Sequence, residues 1–180
     1  METWALLLSG RGSTAQSALE LLGEQNIGLV ISSKSSAYGL KRARRAGVPT
    51  LILDKKIDWD LLDQNLRSRG IRRLFLLGFM KIIPEKFVNN WRGRIFNVHP
   101  SLLPDFKGAH GMEESFQSSK DMGVTVHEVT PGLDEGPQKL QCRVLTNSRK
   151  KSLSWEQVQL RMAIHEQRLI RRTIGVGVRA

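Results

Sequence analysis

The first half of the chain alternates short apolar runs with segments of helical spacing. The apolar runs, typical of buried parallel strands, cover residues 4–8, 27–32, 48–53 and 74–77. The segments between them that predict helices cover residues 15–22, 38–46 and 59–69. This strand–helix rhythm predicts an α/β fold with a mostly parallel twisted sheet and helices on both faces.

The second half is less regular. The pattern predicts helices over 84–91, 112–119 and 153–172, strands over 94–97, 124–129 and 139–144, and loops over 99–108 and 131–137. No internal repeat or long linker divides the chain. We therefore expect one domain over residues 1–180.

Composition narrows the class of protein. The chain has 28 Lys and Arg against 17 Asp and Glu, a formal net charge of +11, which favours anionic partners without choosing among them. Its basic groups, at 41–45, 67–73, 149–151 and 168–172, are equally typical of solvated helix faces. Aromatic residues make up only 6% of the chain and form no RNA-binding signature, so nucleic acid is a disfavoured partner.

A single cysteine, Cys142, excludes an intramolecular disulfide and a multi-cysteine zinc site. No His/His or Cys/His pair has metal-ligand spacing, so we expect no metal. No apolar run is long enough to span a membrane, and the first residues do not resemble a secretory signal. These features predict a cytoplasmic protein.

The turn that follows the first strand has the sequence Ser-Gly-Arg-Gly-Ser-Thr over residues 9–14. Glycines let a backbone approach an anion, and free N–H groups at a helix start bind phosphate. The turn matches neither a complete GxGxxG nor a P-loop. A tight strand-to-helix turn capped by Ser13 or Thr14 explains the same residues, so both interpretations stay open at this point.

Two further segments carry polar groups suited to catalysis. Asn97 and His99 alternate along a predicted strand, so their side chains point the same way and could hold an oxyanion. Asp134 lies in a glycine-bracketed loop after the strand of His127, where a carboxylate could return to a histidine. A polar strand end and an ordinary turn residue are the commoner explanations of these two features from the spacing alone. No G-x-S-x-G context surrounds the serines, which argues against a serine hydrolase.

Together these segments resemble the folate-dependent formyltransferases over nearly the whole chain. The most specific strings are N-V-H-P-S-L-L-P at 97–104 and L-D-E-G-P at 133–137. The turn at 9–13 and the A-Y-G-L-K-R-A string at 37–43 place the resemblance nearest to the members that serve purine biosynthesis. The resemblance implies a single-domain Rossmann-like fold, with a nucleotide-phosphate half over about 1–95 and a catalytic and folate half over about 96–180.

The resemblance also implies an activity and a set of roles. The amine of glycinamide ribonucleotide would attack the formyl carbon of the co-substrate 10-formyltetrahydrofolate, with Asn97, His99 and Asp134 as catalytic residues. Gly12, Ser13 and Thr14 would bind the substrate phosphate, and Glu166 would contact the nucleotide. The implied folate site consists of Met80, Lys81, Ile82, Ile83, Val88, Asn97, Val129, Thr130 and Asp134.

Three positions depart from the family pattern: Thr14 replaces an asparagine, Lys81 an arginine, and Gln167 a histidine. All three affect substrate contacts, so other acceptors stay open, namely a nucleotide sugar, an aminoacyl-tRNA, or water in a hydrolase. The tRNA enzyme and the hydrolase normally carry an additional domain, for which 180 residues leave no room. A non-catalytic nucleic-acid-binding domain is favoured only by the charge. A homodimer is a further possibility that the sequence does not decide.

Overall fold

The computed structural model describes residues 3–176, which form one seven-stranded sheet covered by helices. The strands are β1 Trp4–Leu8, β2 Ile27–Ser32, β3 Thr50–Ile52, β4 Arg73–Leu76, β5 Ile95–His99, β6 Met122–Glu128 and β7 Gln138–Leu145. The helices are α1 Ser13–Asn26, α2 Tyr38–Arg45, α3 Trp59–Ser68, α4 Glu85–Asn90, α5 Gly111–Gln117, α6 Asn147–Lys150 and α7 Trp155–Val176.

The strand order is β3-β2-β1-β4-β5-β6-β7. Strands β1 to β5 pair in parallel, and β6 and β7 continue the sheet in antiparallel pairing. The order reverses between β1 and β4, and in such sheets ligands bind outside the carboxyl ends of the strands at this switch point. The loops after β1, β4 and β5 therefore converge on one edge of the sheet. The predicted fold class is confirmed.

The core divides into two layers because successive strand side chains point to opposite faces. Trp4, Leu6 and Leu8 of β1 pack with residues of α1, α2 and α7, while Ala5 and Leu7 pack with residues of α3 and α4. All five residues of β1 are buried, as expected for a central parallel strand. A strand buried on both faces gives the following turn a rigid starting point.

The boundaries of some strands and helices differ from the sequence prediction because tertiary contacts decide them. Strand β5 continues to His99, two residues beyond the predicted end, because His99 pairs with Thr125 of β6. The four-residue α6 lay outside the prediction, since so short a segment has no periodicity; the hydroxyl of Thr146 caps it by accepting from the Arg149 N–H. Within residues 3–176, no helix is long and apolar enough to cross a membrane.

Candidate active site

The carboxylate of Asp134 is the centre of a polar cluster at the carboxyl end of β5. Its Oδ1 lies 3.3 Å from His127 Nε2 and 3.4 Å from Asn97 Nδ2. Its Oδ2 accepts a 2.8 Å hydrogen bond from the Gly108 N–H and lies 3.5 Å from His99 Nδ1. The structure thus brings the three predicted catalytic residues together around one carboxylate.

Strand geometry explains why these side chains meet. Asn97 and His99 are two residues apart on β5, so they share a face of the sheet. His127 of β6 is the direct cross-strand partner of Asn97, and its Nε2 is 3.2 Å from Asn97 Nδ2. Asp134 reaches them from the β6–β7 loop with a φ of 52°, a left-handed conformation that Asp and Asn tolerate better than most residues.

The electrostatics of the cluster keep Asp134 ionised. Burial alone would raise the pKa of this carboxyl group. Its pKa is instead lowered to about 2. The causes are hydrogen bonds from His127 and from the Gly108 N–H, and the positive charge that His99 and His127 can carry. Asp134 is therefore a carboxylate at neutral pH.

The second ring nitrogen of His99 is fixed by a loop. His99 Nε2 is 2.7 Å from the carbonyl oxygen of Phe106, to which it donates in this arrangement. Helix α5 closes over this contact because Gly111 has no side chain: a Cβ there would lie 2.7 Å from His99 Nε2. Both ring nitrogens of His99 thus face oxygen atoms, an arrangement that a doubly protonated imidazole satisfies.

A cleft of about 630 Å³ opens beside this cluster. Its apolar wall comes from the segment after β4, and Asn97, His99, His127 and Asp134 line its polar end. An apolar wall with a few converging polar groups is typical of a small-molecule site. All nine residues predicted for folate lie along it: Met80, Lys81, Ile82, Ile83, Val88, Asn97, Val129, Thr130 and Asp134. Their contact with folate stays a prediction.

The predicted phosphate turn joins β1 to α1. Gly12 has a φ of 65°, and a Cβ on it would lie 2.6 Å from the Cα of Gly39 in α2. Both the conformation and the close approach require glycine. The backbone N–H groups of Gly12, Ser13 and Thr14 donate no hydrogen bond to any other part of residues 3–176. They are therefore available to an anion.

Helix α7 reaches the same turn from the far end of the chain. The hydroxyl of Thr14 donates a 3.1 Å hydrogen bond to Glu166 Oε2, and Gln167 Nε2 donates to the Ser13 carbonyl at 3.2 Å. Burial raises the pKa of Glu166, and the hydrogen bond from Thr14 partly offsets this effect. Two of the positions that depart from the family pattern, Thr14 and Gln167, thus hold α7 against the turn.

Sequence reasoning named His127 only as a histidine that Asp134 could approach, without a role of its own, and it missed Ser9 as a member of the site. His127 contacts both Asn97 and Asp134, and the alternation of β6 was the signal that could have identified it. Ser9 is buried at the end of β1, where its Oγ accepts from the Met80 N–H at 2.9 Å. That contact links the phosphate turn to the cleft wall and left no signal in the sequence.

Comparison with known families shows to which family the chain belongs. The model of the family described as "Formyl transferase" matches residues 3–174. The chain belongs to the formyl transferase family. Among the side chains that the structure describes, those of residues 3–20 and 26–175, no group of three or more His, Cys, Asp or Glu is placed to hold a metal ion.

Named relatives extend the comparison. The chain is 35% identical over 150 residues to the phosphoribosylglycinamide formyltransferase of Escherichia coli, covering 77% of this chain and 71% of that protein. It is 38% identical over 148 residues to the human trifunctional purine biosynthetic protein adenosine-3, covering 76% of this chain but 15% of that protein. The chain thus spans only a small part of the trifunctional relatives.

Solved structures of the family share the whole architecture. The phosphoribosylglycinamide formyltransferase of Anaplasma phagocytophilum superposes with a TM-score of 0.89 at 32% identity, over 97% of this chain and 86% of that one. The corresponding enzyme of Streptococcus pneumoniae superposes with a TM-score of 0.87 at 31% identity, over 98% of both chains. The fold of this formyl transferase is therefore that of its solved relatives.

Proposed function

We propose that this protein transfers the formyl group of 10-formyltetrahydrofolate to the amine of glycinamide ribonucleotide, a step of purine biosynthesis. One observation carries the proposal: an ionised Asp134 contacts both Asn97 and His99 at the polar end of a cleft with an apolar wall. The name of the relative at 35% identity, phosphoribosylglycinamide formyltransferase, supports formyl transfer to this acceptor. The name of the human relative at 38% identity supports a place in purine biosynthesis.

The cluster suits attack on a formyl group. The lone pair of the amine forms a bond to the formyl carbon, and the carbonyl oxygen becomes a tetrahedral oxyanion. His99, held beside the carboxylate of Asp134, stabilises that oxyanion. The 3.4 Å contact from Asn97 Nδ2 to Asp134 is long for a hydrogen bond, so this N–H can turn to the stronger oxyanion acceptor.

Collapse of the intermediate completes the transfer. The bond from the formyl carbon to N10 of the folate breaks, and its electron pair stays on N10. The proton lost by the attacking amine passes to N10 through the Asp134 carboxylate or a water molecule beside it. Asp134 is ionised at neutral pH, so its carboxylate is free to accept this proton and pass it on.

The turn would hold the other end of the acceptor. In the described part of the chain, the three N–H groups of residues 12–14 have no acceptor, and a phosphate bound at this helix start would accept hydrogen bonds from them. Glu166, hydrogen-bonded to Thr14 at 3.1 Å, lies where it can contact the nucleotide. We further propose that the reaction takes place in the cytoplasm.

A panel of acceptors tests the proposal. Purified protein is incubated with 10-formyltetrahydrofolate and glycinamide ribonucleotide, a nucleotide amino sugar, methionyl-tRNA or no acceptor, and tetrahydrofolate and the formylated product are both quantified. We expect formyl transfer only to the ribonucleotide. Release of formate without an acceptor would instead identify a hydrolase, and transfer to another amine would replace the substrate.

A pair of histidine variants tests the catalytic assignment. His99→Ala removes a ring that is proposed to stabilise the oxyanion, so kcat should fall about 100- to 1000-fold in a folded protein. His110→Ala is the matched control, because His110 is exposed at the start of α5. Near-native activity of His99→Ala would contradict the mechanism.

A further inference from the structure

Arg42 of α2 holds the phosphate turn from outside. Its Nε donates a 3.1 Å hydrogen bond to the carbonyl oxygen of Arg11, and its Nη1 donates a 2.8 Å hydrogen bond to Gln16 Oε1 of α1. The guanidinium also lies over the ring of Tyr38, 5.0 Å from the ring centroid. The planar group is thereby fixed against the turn, the following helix and its own helix at once.

The contact between Arg42 and the Arg11 carbonyl also fixes the direction of the neighbouring Gly12 N–H, because both groups belong to one planar peptide. In a trans peptide the carbonyl of one residue and the N–H of the next point in opposite directions. Because Arg42 binds the Arg11 carbonyl, the Gly12 N–H is directed away from the guanidinium. This N–H is one of those without an acceptor in the described part of the chain. Arg42 thus orients a free donor without occupying it.

We propose that Arg42 is a positioning residue that makes the enzyme select a phosphorylated over an unphosphorylated acceptor, an inference that rests on the proposed function. It acts through the orientation of the Gly12 N–H rather than through contact with the phosphate. A lysine at this position keeps the charge but has no fork that can bind Arg11 and Gln16 together. The role therefore depends on the geometry of the side chain and not on its charge.

The test compares two acceptors, glycinamide ribonucleotide and the ribonucleoside without its 5′-phosphate. The measured quantity is the ratio of kcat/KM for the first to kcat/KM for the second. In Arg42→Ala we expect this ratio to fall about tenfold, the usual scale for one charge-assisted hydrogen bond. The kcat/KM for the ribonucleoside and the KM for folate should stay near their native values. A general structural defect would lower the values for both acceptors.

Two further variants separate position from charge. Arg42→Lys should show the same low ratio as Arg42→Ala, and it carries the test if the alanine variant does not fold. Arg44→Ala is the matched control, since Arg44 is an exposed residue of the same helix and its loss changes the net charge equally. Its ratio should remain native.

Four results would overturn the inference. A native ratio in both Arg42 variants would remove the positioning role while leaving the proposed function in place. An equal fall in Arg42→Ala and Arg44→Ala, or a native ratio in Arg42→Lys alone, would show that charge attracts the phosphate without any positioning. A ratio near one in the native enzyme would refute the phosphate site itself, and with it both proposals.

Discussion

The turn at Gly12 offers a prediction whose size follows from the coordinates. In Gly12→Ala the added Cβ would lie 2.6 Å from the Cα of Gly39, and the residue would keep a φ of 65°. A left-handed conformation costs an L-residue roughly 1–2 kcal/mol. Crowding against a packed backbone typically costs about 1–3 kcal/mol. The free energy of unfolding should therefore fall by about 2–5 kcal/mol, a large part of the roughly 5–15 kcal/mol typical of a domain.

Gly39 cannot simply move away from the new methyl group. Its own Cα faces the side chain of Leu8, since a Cβ on Gly39 would lie 2.6 Å from Leu8 Cδ2. Leu8 is buried at the end of β1. The strain is therefore distributed into the turn, which should misalign the N–H groups of residues 12–14.

Urea unfolding followed by circular dichroism measures the change in the free energy of unfolding. Gly10→Ala is the matched control, because it is the same change in the same turn and its Cβ would have no heavy atom within 4 Å. We expect a change of less than about 0.5 kcal/mol in that control. Equal unfolding free energies for the two variants would refute the steric reasoning.

Activity measurements test the functional half of the same prediction. At a temperature where Gly12→Ala is folded, the KM for glycinamide ribonucleotide should rise while the KM for folate stays nearly native. The reason is that Gly12 lies at the turn, whereas the folate cleft is lined by other residues. A parallel loss of both ligands would show a general folding defect instead.

Three further substitutions test the electrostatics of the site. Asp134→Asn keeps the shape of the side chain, and asparagine tolerates the φ of 52°, so the fold should change little. Because the carboxylate is lost, kcat should fall at least about 100-fold, and a kcat within tenfold of native would contradict the relay. His127→Ala removes a hydrogen bond that lowers the pKa of Asp134, so the midpoint of its carboxyl ¹³C NMR titration should rise from about 2 toward 3.8; an unmoved midpoint would exclude His127 as a cause. Glu166→Gln removes a group whose pKa is raised in the folded protein, so the free energy of unfolding of the native chain should fall relative to that of the variant as pH rises through that pKa. Urea unfolding at pH 4 and pH 8 measures this difference, and the same difference at both pH values would show that the group is solvated.

The elements of the first half could be predicted because their signals are local. Apolar runs such as 4–8 and 27–32 match β1 and β2 residue for residue, since a doubly buried strand has no alternative to a continuous apolar segment. The short β3 and the four-residue α6 were harder, because three or four residues carry too little periodicity to define an element. The same local logic placed Asn97 and His99 on one face of β5.

The composition of the site depended on contacts between distant parts of the chain. Asp134 meets Asn97 across 37 positions, and Thr14 meets Glu166 across 152, so no spacing rule connects them. The family resemblance predicted their roles. It did not predict that hydrogen bonds from His127 and Gly108, with the charge that two histidines can carry, outweigh burial and lower the pKa of Asp134 to about 2. The sequence did not distinguish Arg42 from the other basic residues of its segment; its contact with the turn is visible only in the folded chain.

The hydrophobic pattern of this sequence by itself determined the α/β class, most of its strands and helices, and the side of β5 on which polar groups emerge. Periodicity along one segment is enough for each of these. Only the tertiary structure decided that His127 completes the carboxylate cluster, that Ser9 joins the turn to the cleft, and that Arg42 binds the Arg11 carbonyl. Those contacts depend on strand register and on how the loops close, which are properties of the packed chain and of no single segment.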